Sequence, residues 1–206
     1  MTDHSITVGR VLRSSTAGFS IGCRVLKENV PEFGAFVKVT QGATQIVGLI
    51  YDVQFVDDPL VRQIITADSL PAELRLDQSQ RLAPIDISVL VVGFTREGQI
   101  YQHLPPQPPA TLYEIETCAP DKVIAFTRQF AFLRTILAAR DAPADELVAA
   151  CLRLAAASRP ETERRAFLLD AGRELARLLA NDPVRLEGIL RRIAPNQPPR
   201  HQGIGI

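Results

Sequence analysis

Three histidines, His4, His103 and His201, stand far apart along the 206 residues, and none belongs to a His-x-x-x-His pair or a Cys/His cluster. A zinc site would have to be assembled from distant ligands, so each is read as a surface or hydrogen-bonded histidine. A serine or cysteine nucleophile needs a base in hydrogen-bond reach and a third group to orient that base. The chain contains no G-x-S-x-G; Cys23 falls in a strand pattern and Cys151 on an apolar helical face, and with Cys118 they are expected as core residues. Asp57, Asp58 and Asp86 have the chemistry of paired carboxylates for metal or acid–base work. Asp57-Asp58-Pro59 is nonetheless explained as a helix start, where carboxylates meet unpaired N–H groups. No catalytic, cofactor-binding or metal-ligating residue is therefore assigned, and a non-enzymatic protein is expected.

The distinctive polar chemistry left is arginine. Arg164, Arg165, Arg173, Arg177, Arg185, Arg191 and Arg192 make the C-terminal part basic and form the candidate interaction surface, for an acidic protein partner or for nucleic acid. Asp170 and Glu174 lie among them and supply ion pairs of the kind a solvated helix uses. Formal net charge is zero, but residues 1–120 hold 9 Lys+Arg against 13 Asp+Glu and residues 121–206 hold 14 against 10, so about −4 faces about +4. That balance removes bulk attraction to nucleic acid or anionic membrane as a starting assumption. Phe126, Phe130 and Phe132 cluster where core or interface packing is expected in preference to base stacking. Pro105, Pro106, Pro108 and Pro109 hold overlapping P-x-x-P pairs and are read as a stiff spacer between barrel and helices.

The elements that must position these residues change period along the chain. Ile6–Leu12, Phe19–Leu26, Ala35–Thr40, Thr44–Phe55, Ile85–Phe94, Gln99–Leu104 and Thr111–Glu116 carry strand patterns, with Ile85–Phe94 the most apolar and the expected central strand. Gly9, Gly22 and Gly48 interrupt these patterns, which suits bends or bulges in a small barrel. Between them, Asp57-Asp58-Pro59 and Ser69–Leu74 read as short helical turns. After Pro120 the apolar step becomes three or four. One helix is expected from Pro120 to Arg140 with Val123, Phe126, Phe130, Leu133 and Leu137 inward, a second after Asp141-Ala142-Pro143, a third after Pro160 and a fourth after Asp182-Pro183 with Val184, Leu186, Ile189, Leu190 and Ile193 inward.

The predicted fold class is α+β: a β-barrel of six to seven strands over residues 1–118, an α-helical domain over 119–195 and a flexible tail over 196–206. Three widely spaced cysteines with no C-x-x-C suit a reducing compartment. No signal peptide is expected, since Met1–Thr7 lacks a basic segment followed by an apolar one, and no apolar run approaches the ~18 residues that span a bilayer. A cytoplasmic protein without a membrane partner is the expectation.

Val8-Gly9-Arg10-Val11, Phe33-Gly34-Ala35-Phe36-Val37-Lys38-Val39 and Ile46-Val47-Gly48-Leu49-Ile50-Tyr51-Asp52-Val53 make residues 4–118 resemble the HAS-barrel family, the small N-terminal barrel of HerA-type DNA translocases and of rotary ATP synthase ring subunits. Gly98–Pro109 is similar to stand-alone HAS-barrel proteins. In the translocases and synthases a P-loop ATPase core follows the barrel, and the barrel serves ring assembly and partner docking. The present chain has no G-x-x-x-x-G-K-[ST], so the ATPase role does not transfer. The resemblance implies an interaction or assembly module: an adaptor of a HerA-like ring ATPase or related DNA-processing machinery, with a P-loop ATPase or nuclease as partner and with self-association into a homo-oligomer in keeping. A nucleic-acid-binding accessory protein using the arginine-rich helices is the alternative.

Overall fold

Seven strands pair in the order β2-β1-β7-β3-β4-β5-β6, and a further pairing between β2 and β5 closes the first six into an antiparallel barrel. The computed structural model describes residues 5–25, 31–55 and 83–193. The strands are β1 (Thr7–Ser14), β2 (Gly18–Val25), β3 (Phe36–Gln41), β4 (Thr44–Phe55), β5 (Ala83–Arg96), β6 (Gln99–Tyr101) and β7 (Glu114–Thr117). The expected central strand is central: β5 holds hydrogen-bonded partners in β2, β4 and β6. The predicted turns at Asp57–Pro59 and Ser69–Leu74, and the tail 196–206, lie outside the described residues.

Side-chain alternation fills the barrel. Val11, Ile21, Val37, Ile50, Ile87 and Val89 point inward with other Val, Ile and Phe side chains and form one buried cluster. On β3, β4 and β5 the opposite face is apolar as well: Phe36, Val47, Leu49 and Val92 belong to a second cluster, shared with the helices. These strands therefore read as near-continuous apolar runs, because both of their faces are covered. Where the faces have to change over, the ladder slips. Val47 and Gly48 oppose Gly93 and Val91, leaving Val92 as an extra residue on β5, and Tyr51 is the extra residue on β4 between Ile50 and Asp52. Gly48 sits at the first of these bulges, where a Cβ would lie 2.3 Å from Val89 Cγ1.

The proline-rich connector does not separate barrel from helices. It links β6 to β7 within the barrel half, with Pro105 and Pro109 buried and the Ala110 amide donating to Gln41 Oε1 at 3.1 Å. Two residues, Cys118 and Ala119, then lead from β7 into the helical layer.

Five helices follow where four were expected: α1 (Pro120–Phe126), α2 (Phe132–Leu137), α3 (Ala144–Ala157), α4 (Glu161–Leu178) and α5 (Pro183–Ile193). The first predicted helix is broken between Phe126 and Phe132. Gln102 in the barrel holds the break: its Nε2 donates to the carbonyls of Phe126 (2.6 Å) and Gln129 (3.0 Å), and its Oε1 accepts from the Phe132 amide. A long-range side chain has overridden local periodicity. Phe132 and Ile136 are consequently fully buried, while Phe130 and Leu137 are only partly so. On α5 the buried residues are Ile189 and Ile193; Val184 is 80 % exposed and Leu190 also faces out, correcting their assignment to the core. The start after Asp182 is as expected, with Asp182 Oδ1 accepting from the Arg185 amide at 3.0 Å.

The helical layer meets the barrel at Gly34. This residue has φ +86°, and a Cβ there would lie 2.6 Å from Ala150 Cβ and 3.0 Å from the Ala150 backbone. Gly42, at φ +60° in the β3–β4 turn, has open space around it. Gly34→Ala is expected to destabilise by about 2–4 kcal/mol, adding a clash to left-handed strain, and Gly42→Ala by only about 1–2 kcal/mol from strain alone. Urea unfolding of both variants measures the difference, and equal losses would mean the Gly34 contact is slack.

Candidate functional site

The seven predicted interaction arginines divide by what they hold. Arg173 pairs with Asp170 (2.8 Å), Arg177 with Glu174 (2.5 Å) and Arg191 with Glu187 (2.5 Å), each within its own helix. Arg185 Nε reaches Asp145 at 2.7 Å, and Arg192 pairs with Glu146 while its Nη1 donates to the Gly188 carbonyl. Asp145 and Glu146 form the first turn of α3, where carboxylates also complement the helix dipole, so this pair of bridges fastens α5 to α3. Arg164 donates to the carbonyls of Arg159 (3.1 Å) and Ala157 (3.4 Å), closing the end of α3. Arg165 alone has no such partner among the described residues. The Arg177 hydrogen bond holds the Glu174 carboxyl below its ordinary range. The structure thus gathers these side chains on α4 and α5, but with carboxylates interleaved, and not as a free cationic stripe.

Arg159, not singled out by its sequence context, is the buried arginine of the fold. Nη1 donates to the Ala155 carbonyl at 2.6 Å, Nη2 donates to Thr127 Oγ1 at 2.7 Å, and the guanidinium carbon lies 3.6 Å from the centroid of the Phe167 ring. Longer contacts reach the carbonyls of Thr127 and Ile124. Desolvation lowers its pKa, and the surrounding carbonyls keep the cation satisfied. The only local signal was its place between a helix and Pro160, which reads equally well as a loop.

The remaining candidates are structural. His103 Nδ1 lies 3.0 Å from the Leu104 carbonyl, and its ring packs edge-on against Phe94 and Tyr101. Burial pushes the Cys118 thiol up to about 12 and raises those of Cys151 and Cys23. Asp86 is exposed on the outside of β5, and His4, His201, Asp57 and Asp58 lie outside the described residues. Among the described residues no group of three or more His, Cys, Asp or Glu is placed to hold a metal, and no helix is long and apolar enough to cross a membrane.

Two surfaces remain with unused chemistry. Ahead of β7, Leu112 has φ +68°, a conformation branched aliphatic residues seldom adopt, and is 69 % exposed. Its backbone is pinned: the Leu112 amide donates to the Val11 carbonyl at 2.8 Å and the Val11 amide to the Tyr113 carbonyl at 3.0 Å. Leu12 and Tyr113 are exposed beside it. The second surface is a groove between the β1–β2 turn and the end of α2, whose lining includes Arg13, Arg134 and Arg140. Sequence reasoning missed both, since each depends on chain segments about a hundred residues apart. Set against known proteins, the chain matches no model of a protein family and no curated protein.

Removing the buried cation strips the C-terminal ends of α1 and α3 of their donor. Arg159→Met is expected to destabilise by about 2–4 kcal/mol, and Arg159→Lys by a comparable amount because one ammonium cannot span the same acceptors. Guanidinium unfolding followed by circular dichroism checks both. Thiol titration of the native protein at about pH 8 should find no fast-reacting cysteine, and three after unfolding; a rapid native thiol would contradict the burial described.

Proposed function

We propose that the protein is a non-enzymatic interaction and assembly module that docks a partner through the barrel wall at β1 and β7, as an adaptor of a HerA-like ring ATPase or related machinery. The observation that carries this reading is Leu112. A leucine in the left-handed region, its amide bonded to the Val11 carbonyl and its side chain in solvent with Leu12 and Tyr113 also exposed, is strain retained at a surface position where it contributes nothing to the core. The closed six-stranded barrel supports the reading further, since barrels of the resembling family dock partners and assemble rings. A nucleic-acid accessory role rests on the α4 and α5 arginines, and with six of the seven already bonded within the chain it has less to stand on.

Asparagine tolerates the left-handed region, so Leu112→Asn removes the apolar side chain while relieving strain. The variant is expected to keep its stability, or gain up to about 1 kcal/mol, and to lose a P-loop ATPase that the wild-type chain retains in affinity capture from cell extract. Capture of the same ATPase by both proteins, or of nucleic acid only, would count against the wall as the docking face.

A further inference from the structure

The groove beside α2 has a volume of about 860 Å³, within the range of small-molecule sites. One side is barrel. Strand register lines up Arg13, Ser20 and Ser88 in a row across the outer face of β1, β2 and β5, and the row ends on β4 at Asp52, whose carboxylate already accepts from Gln54. The other side is the end of α2 and the link to α3, bringing Arg134, Arg140 and Asp141. Three arginines against one aspartate leave the lining at +2.

These arginines differ from those of α4 and α5 in having no carboxylate bonded to them among the described residues. Arg134 feels Glu174, but both oxygens of Glu174 are taken by Arg177. Ser20, in the same row, keeps its hydroxyl shut off from solvent and without a hydrogen-bond partner. Between the polar groups lie Tyr51 and apolar surface from Phe19, Leu90 and Leu104.

We propose that this groove binds a small organic phosphate. The phosphate would sit between Arg13 of the barrel and Arg134 and Arg140 of the helical layer, whose planar donor forks match phosphate oxygens. An apolar or aromatic body lies against Tyr51 and Leu90. The site spans both halves of the chain, so occupancy ties the barrel to α2.

Phenyl phosphate, inorganic phosphate and phenol are the probes, each titrated into the full chain labelled with ¹⁵N at low salt. Phenyl phosphate is expected to give saturable amide shifts at Ser20, Ser88 and Ala139, to bind about tenfold more tightly than inorganic phosphate, and to outcompete phenol, which lacks the head group. Arg13→Ala with Arg140→Ala, both exposed and so expected to fold, should weaken phenyl phosphate about tenfold or more, and Arg173→Ala should leave it unchanged. The proposal is overturned by an absence of saturable shifts up to about 20 mM, by undiminished binding to the double variant with a native spectrum, or by shifts centred on α4 and α5. Equal affinity for inorganic and phenyl phosphate would reduce the site to an adventitious ion only.

Discussion

One buried guanidinium fixes how the helical layer is put together. Burying a cation away from any bonded carboxylate is ordinarily unfavourable. Around Arg159 the opposing field comes from carbonyls at the C-terminal ends of α1 and α3, the negative ends of their dipoles, and from the face of Phe167 on α4. Three helices must therefore converge on one point, and Thr127 is held there too, donating to the Val123 carbonyl while accepting from Arg159. Because α1 follows β7 after two residues, that convergence also sets where α3 lies against the barrel. The Gly34–Ala150 contact is the result, with a backbone approach that a larger residue would prevent.

The barrel supplies the complementary surface by being covered unevenly. β3, β4 and the middle of β5 are sandwiched between the barrel interior and the helices, whereas β1, the start of β5 and β7 turn polar and charged groups outward, Asp86 and the Arg10–Glu114 pair among them. Ile6, Leu12, Leu112 and Tyr113 are the exposed apolar exceptions there, with Leu12 lying over Gly22 of β2. The helical arginines show the opposite economy. Their charges are mostly used within the chain, to lace α5 onto α3 and to stiffen α4, whereas Arg13, Arg134 and Arg140 beside α2 have no bonded carboxylate among the described residues.

Much of this was legible in the sequence. Alternation placed every barrel strand, and Gly48 marked a bulge where a side chain would strike Val89. The apolar run Ile85–Phe94 announced the central strand, and Pro residues marked four of the five helix starts. What local pattern could not carry was anything decided by a distant partner. Gln102 breaks a helix some twenty-five residues downstream, so the uninterrupted stepping of Val123, Phe126, Phe130, Leu133 and Leu137 misled. The connector Leu104–Pro109 has the composition of a spacer but is fastened down by Gln41. The arginine-rich helices were visible as composition, yet whether their charges are free depends on carboxylates such as Asp145 and Glu146, forty or more residues away.

Closure of the barrel has a consequence for the order of events during synthesis. β1 lies against β7, with Arg10 bonded to Glu114 over a separation of 104 residues and the Ile6 amide bonded to Thr117 over 111. While the ribosome is still adding the connector, β1 and β3 each keep a bare edge, since the strand between them has not been made. The loop-closure entropy of these contacts makes them slow to form, whereas the helices depend mostly on near neighbours and form quickly. The last barrel seam is therefore sealed by the segment that leads directly into α1. Until residues 114–117 emerge, the nascent chain carries open strand edges of the kind that pair with other chains, and a chaperone would find its earliest foothold there.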